Sequence, residues 1–311
     1  MKNKIIFGAI TFVFITSFCV FLNYNPFSLK TNNYGAAFFS MGATVKDLIV
    51  KYSLAPAASK IKILIVPGHE PDLGGAEYGS LLERDLNLEL AEKIQNNLTK
   101  NDRFEIIMAR DEKGWNPTIE NYVNKNETKI SSWKSQMKNE MLRLVNNGKV
   151  SLVTPQVYHA NAIPHAVLFL YGINKWASEN KIDIVLNVHF NDNPKYKGKP
   201  KYEGYSIYVP EKQYSNSASS KTLAENLMDE LSKIKDKSTM PGENQGIVED
   251  QELIAIGSYN TSDSLNVLIE YAYIYEDFMQ ATSTRNTFLE KAASSTSKAL
   301  QDFFTSRTMF I

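Results

Sequence analysis

The chain has 311 residues, 43% of them hydrophobic, which suits one large domain with a sizeable core and excludes disorder for its bulk. Lys plus Arg and Asp plus Glu number 34 each, so no overall field points to nucleic acid. A single cysteine, Cys19, excludes an intramolecular disulfide framework and a cysteine-rich zinc site, leaving His, Asp and Glu to hold any metal.

Lys2 and Lys4 precede nineteen uncharged residues, 5 to 23. At about 1.5 Å per residue, a helix of that length nearly spans a bilayer core of roughly 30 Å. The basic flank favours a cytoplasmic start and export of everything that follows. Residues 1–24 therefore read as a signal anchor, with a cleaved signal peptide as the alternative. The apolar stretch is long for a signal peptide, and no small-x-small cleavage pattern follows it. Residues 25–60 are rich in Asn, Ser, Ala and Tyr and read as a linker, with one helix near 43–53.

The main domain, 61–311, alternates strand and helix patterns. "IKILIVPG" (61–68) reads as a strand and 81–98 as a helix; "RFEIIMAR" (103–110) is a strand. After an insertion at about 111–164 come a helix over 165–180, the strand "IDIVLNVHF" (182–190) and the strand "EGYSIYV" (203–209). A helix over 218–234, the strand "LNVLIEYAYI" (265–274) and a closing helix over 283–304 complete the pattern. Strands separated by helices predict an α/β fold, a single layered domain around a mostly parallel twisted sheet flanked by helices. Within the insertion, Ile130, Trp133, Met137, Met141, Leu144 and Val145 share one helical face, so 127–146 reads as an amphipathic helix packed on the domain; a lid is the other reading.

In open α/β sheets, ligands sit at the carboxyl ends of the strands. His69, His189 and Glu270 each end a predicted strand, and Glu83 opens the following helix. Each has an ordinary explanation alone, Glu83 for example as a partner of the helix dipole. Together they match hydrolytic zinc sites, which commonly use two histidines and one carboxylate and leave a position for water. His69, Glu83 and His189 are the natural ligands, and Glu270 the proton carrier. His69-x-x-Asp72 offers a different carboxylate ligand, as in a carboxypeptidase-like zinc hydrolase. His159 and His165 read as structural, and the lysine-rich loop 192–204 as solvated.

These motifs resemble the zinc-dependent N-acetylmuramoyl-L-alanine amidases. The likeness rests on Pro67-Gly68-His69 after a strand, Glu83-Arg84 at a helix start, "NVHFN" with His189 and Asn191, and "VLIEYAYI" with Glu270. Arg110 and Asp183 also fit the family pattern, and the likeness spans about 61 to 304 apart from the insertion. Val66 stands where the family usually has an acidic residue, Glu70 and Pro71 replace glycines, Asn187 a serine and Asn266 a proline. The resemblance implies a zinc enzyme that cleaves the amide between N-acetylmuramic acid and L-alanine in peptidoglycan, with Asn191 touching substrate. An inactive, membrane-anchored peptidoglycan-binding module is the alternative from a different class. Nothing in the sequence identifies a protein activator.

The first 24 residues imply a catalytic domain outside the cytoplasm, held by the N-terminal helix or released from it. A reporter fused after residue 60 is expected to be active only beyond the membrane, and cytoplasmic activity of that fusion would end the envelope reading.

Overall fold

A computed structural model describes residues 44–71, 74–159, 162–192 and 201–308. The apolar run at 5–23, Asp72 and most of the lysine-rich loop lie outside the described residues. Among the described residues no helix is long and apolar enough to cross a membrane.

Helix α1 (Val45–Leu54) starts with a capping box in which Thr44 and Asp47 each satisfy the other's backbone N–H. Strand β1 (Ile61–Pro67) follows, then a two-residue hairpin of β2 (Glu77–Tyr78) and β3 (Leu81–Leu82), and helix α2 (Glu83–Leu98). β4 (Phe104–Met108) leads into a second short hairpin, β5 (Arg110–Asp111) with β6 (Gly114–Trp115). Helices α3 (Pro117–Lys125), α4 (Glu127–Asn146) and α5 (Pro164–Glu179) come next. The remainder is β7 (Ile184–Asn191), β8 (Ser206–Pro210), α6 (Ser217–Leu231), β9 (Ile247–Asp250), β10 (Leu265–Tyr273), the single turn α7 (Asp277–Gln280) and α8 (Thr282–Thr308).

Six strands form the main sheet in the order β4-β1-β7-β10-β8-β9. β4, β1, β7 and β10 run parallel, and β8 joins β10 antiparallel while pairing parallel with β9. The central strands are apolar on both sides because helices cover both faces. Alternate residues sort to opposite layers. Ile61, Ile63 and Ile65 pack with Leu90 and Ile94 of α2 and Phe303 and Phe304 of α8. Leu64 and Val66 pack with Ile119 of α3, Ile130 of α4 and Phe169 and Ile173 of α5. The inserted helices are thus part of the second layer, and α4 buries Met141 and Leu144 against Val150 and Tyr214.

β1 lies between β4 and β7, so the chain leaves it to one side through α2 and returns to the other through α3 to α5. This reversal opens a crevice between the carboxyl ends of β1 and β7. β9 and α3 were not marked by the sequence pattern; β9 is four residues of mixed burial with two acidic side chains, too short for a period to register.

Gly172 of α5 packs directly under Val123 of α3. A β-carbon there would lie 2.6 Å from Val123 Cγ2 and 3.3 Å from Ile130 Cδ1. Alanine would gain about 1 kcal/mol of helix propensity but lose about 1–3 kcal/mol to overpacking. Gly172→Ala is expected to lower the melting temperature by about 2–4 °C, and Val123→Ala in the same chain to return part of it. Calorimetry on the wild type and these two variants checks this; an unchanged melting temperature in Gly172→Ala would mean the inserted helices are not packed as described.

Candidate metal centre

The first histidine is placed by an unusual backbone. Gly68 N continues the sheet by donating to Val188 O at 2.9 Å, and His69 then turns into the left-handed region, φ +67°. For a residue with a β-carbon this conformation costs about 1–3 kcal/mol. It sets the His69 ring edge-on to the His189 ring, centroids 5.1 Å apart. Gly68 is required for the same approach, since a β-carbon on it would fall 2.2 Å from His189 Cε1.

Glu83, the first residue of α2, sits between the two rings. Its Oε2 lies 2.8 Å from His69 Nε2 and its Oε1 3.0 Å from His189 Nδ1. Ala76 N donates to Oε2 at 2.8 Å, while Asn87 Nδ2 and Phe190 N reach Oε1 at 3.3 Å. Burial would raise the Glu83 pKa, but hydrogen bonds from His189 and His69, with their charge, outweigh it and hold the carboxyl well below its usual range. Burial holds His189 down, against the pull of Glu83, and so favours the neutral imidazole that a metal needs.

His69, Glu83 and His189 offer ligand atoms all within 4.8 Å of one another, the one such group of three among the described residues. Two imidazole nitrogens and a carboxylate oxygen suit zinc or a similar first-row ion. Across the β7–β10 ladder Glu270 is in register with His189. Its Oε2 is buried with no hydrogen-bond partner among the described residues, an orphan acceptor that a bound ion, water or substrate proton would satisfy. Burial first, then the charges of Glu83 and Glu243, push the Glu270 pKa well up.

Several residues hold this cluster from behind. Arg110 is buried and donates to Pro67 O at 3.1 Å, Gly68 O at 2.9 Å and Arg84 O at 2.7 Å, locking the β1 turn to the start of α2. Burial brings its pKa to about 10, which leaves it cationic at neutral pH. Asn87 also donates to Gly68 O at 3.2 Å. It lies four residues after Glu83, so helical spacing alone places it on the same face. Asp183 is spent elsewhere, accepting from Lys62 N and Lys51 Nζ at the opposite end of the sheet.

The cluster opens into a cavity of about 1100 Å³. One wall is apolar, with Val66, Phe169, Ile173 and Leu268; residues 154–159 of the insertion supply another. Glu70, in place of a family glycine, has its Oε1 2.7 Å from His165 Nδ1, which ties the His69 turn to the start of α5. His159 also lines the cavity and lies 3.4 Å from Asp250. Neither histidine belongs to the cluster.

A model of the N-acetylmuramoyl-L-alanine amidase family matches residues 63–302. The chain belongs to this family. Solved amidases share its fold at low identity. The N-acetylmuramoyl-L-alanine amidase of Clostridium difficile 630 is 14% identical with a TM-score of 0.50, covering 80% of this chain and 100% of its own. Ami1 of Mycobacterium smegmatis is 13% identical with a TM-score of 0.50, over 80% of this chain and 100% of its own. The CwlD amidase of Clostridioides difficile, solved in complex with the GerS lipoprotein, is 15% identical with a TM-score of 0.50, over 79% and 100%. No curated relative matches the sequence.

Two departures from the family pattern turn out to be partners in this amidase. Asn187 Nδ2 donates to Asn266 Oδ1 at 2.9 Å and to Val267 O at 3.1 Å. Asn266 Nδ2 donates in turn to Ala255 O at 3.0 Å.

Gly68 gives the sharpest test of this packing. Gly68→Ala removes no donor atom yet must move the His189 ring, so metal content of the purified protein should fall by more than half while far-UV circular dichroism stays native. Full metal retention would show that the two histidines are not held by this contact.

Proposed function

We propose that this protein is a zinc-dependent amidase that hydrolyses the bond between N-acetylmuramic acid and L-alanine in peptidoglycan, working on the outer side of the cytoplasmic membrane. The observation that carries the reading is one buried carboxylate, Glu83, with His69 on one oxygen and His189 on the other, and Glu270 in register with His189 on the next strand. The envelope location rests on the sequence of the first 24 residues and on the family's substrate.

His69, Glu83 and His189 would hold the ion, the carboxylate ionised and His189 neutral. Zinc bound there supplies Lewis acidity, polarising the scissile carbonyl and making an attacking water more acidic. Glu270 manages the proton. Burial raises its pKa above the usual carboxylate range, which suits a group that takes a proton from the water and passes it to the leaving amine nitrogen. The apolar cavity wall excludes bulk water and strengthens the electrostatics at the carbonyl. Asn191, two residues past His189, borders the cavity, which supports a role in touching the peptide. Glu83 touches both histidines, which favours it over Asp72 as the ligand carboxylate.

The assignment of roles is tested on paired samples, measuring zinc per chain and muropeptide release. His69→Ala and His189→Ala should lose zinc, while His159→Ala and His165→Ala should keep it. Glu270→Gln retains shape but not basicity, so zinc should stay near one per chain as the rate falls by about two to four orders of magnitude. Zinc loss in Glu270→Gln equal to that in His69→Ala would make Glu270 a ligand and overturn the mechanism.

A further inference from the structure

Behind the metal cluster and Glu270 lies a third buried carboxylate, one that no motif marks. Glu243 is completely buried, on a loop between α6 and β9. Its Oε1 accepts from Asn191 Nδ2 at 2.8 Å and from Tyr208 OH at 2.5 Å. Its Oε2 accepts from Ser238 Oγ at 2.5 Å and from Tyr273 OH at 2.8 Å. Three of the four donors stand on β7, β8 and β10, so one side chain gathers residues from three adjacent strands.

Burial, helped by the Glu243 charge, holds both tyrosine phenols far above their usual range, so they remain donors at any physiological pH. The carboxylate therefore has its four acceptor positions filled. A scaffold alone has no need for an unpaired buried charge, which costs several kcal/mol unless fully hydrogen-bonded. An acceptor-only group has one property that a hydroxyl or an amide lacks. It dictates which end of a neighbouring amide faces it. Asn191 must turn its amino end to Glu243, which leaves its carbonyl oxygen as the acceptor on the cavity side.

We propose that Glu243 is a positioning residue for substrate: it fixes the Asn191 side chain so that Oδ1 accepts a backbone N–H from the peptide beside the scissile amide. The identity of that peptide rests on the amidase reading; the orientation of Asn191 does not. Glu243 itself stays out of contact with substrate, and proton transfer remains with Glu270.

The test is a double-mutant cycle on the full zinc-loaded chain with a soluble muramyl-peptide. KM and kcat are measured for wild type, Asn191→Ala, Glu243→Gln and the double variant, and Kd for the same peptide is measured with each change in a Glu270→Gln background. Glu243→Gln should raise KM and Kd about three- to tenfold, the worth of one hydrogen bond, with kcat and zinc content little changed. The double variant should be no worse than Asn191→Ala alone, because Glu243 acts through Asn191. Losses that add, or an unchanged KM in a cleaving enzyme, overturn the proposal. If wild type binds but does not cleave while Glu243→Gln still weakens binding, the amidase reading falls and the positioning role stands; neither binding nor cleavage overturns both. Should Glu243→Gln fail to fold, Asn191→Asp replaces it. Aspartate keeps an acceptor for substrate but cannot donate to Glu243, so its KM should rise as that of Asn191→Ala does; wild-type KM in Asn191→Asp overturns the proposal.

Discussion

A buried carboxylate has to be matched on every side, and the needs of Glu83 organise the architecture around it. Two histidines from two strand ends face its two oxygens, and two backbone N–H groups and one amide complete the shell. Those partners can converge only if the backbone comes very close, which explains glycine at 68 and 75. A β-carbon on Gly75 would lie 2.9 Å from His69 Cδ2 and 3.1 Å from Glu83 Cβ, at a φ of +87° that side chains resist. Arg110 then fastens the turn by spending its fork on three backbone carbonyls instead of on a carboxylate, so it adds rigidity without neutralising the Glu83 charge.

The sheet order supplies the place for this arrangement. Because successive crossovers leave β1 in opposite directions, the ends of β1 and β7 are not roofed by a single helix. His69 and His189 occupy that gap, and β10 brings Glu270 in from the next position. The antiparallel β8 closes the far side of β10, where Ser206 pairs with Glu270. Three carboxylates, Glu83, Glu270 and Glu243, thus share one end of the sheet. Burial first, then the charges of the other two, raise the pKa of Glu270, the member with no donor on Oε2 among the described residues. Glu83 and Glu243 have donors on both oxygens, and Glu270 Oε2 is left without one among the described residues.

The core strands and most long helices are legible because their periods are strong; the apolar spacing over 127–146 predicts a helix with the bounds that the fold shows. His69 was legible because the apolar run of β1 stops just before it, whereas His189 and Glu270 sit inside β7 and β10, which run on to Asn191 and Tyr273, so the expectation that each ends its strand is corrected for those two. Glu83 was legible through its position at a helix start. The partners that lie far along the chain were not. Glu70 meets His165 across 95 residues and Asn187 meets Asn266 across 79, and neither pair shares a period or a motif. Glu243 sits in a loop, where no pattern distinguishes a buried carboxylate from a solvated one. The apolar run at 5–23 belongs to the sequence argument alone.

The Asn187–Asn266 bond also constrains how such a chain changes over generations. A serine at 187 alone is too short to reach Asn266 Oδ1 and leaves that oxygen buried without its donor. A proline at 266 alone strips away the N–H that Ser220 Oγ receives at 2.9 Å and leaves Asn187 with only the Val267 carbonyl. Each intermediate loses a buried partner at about 1–3 kcal/mol, a large part of a typical domain's margin. The two asparagines are therefore heritable as a pair, and lineages that depart at one position should depart at the other.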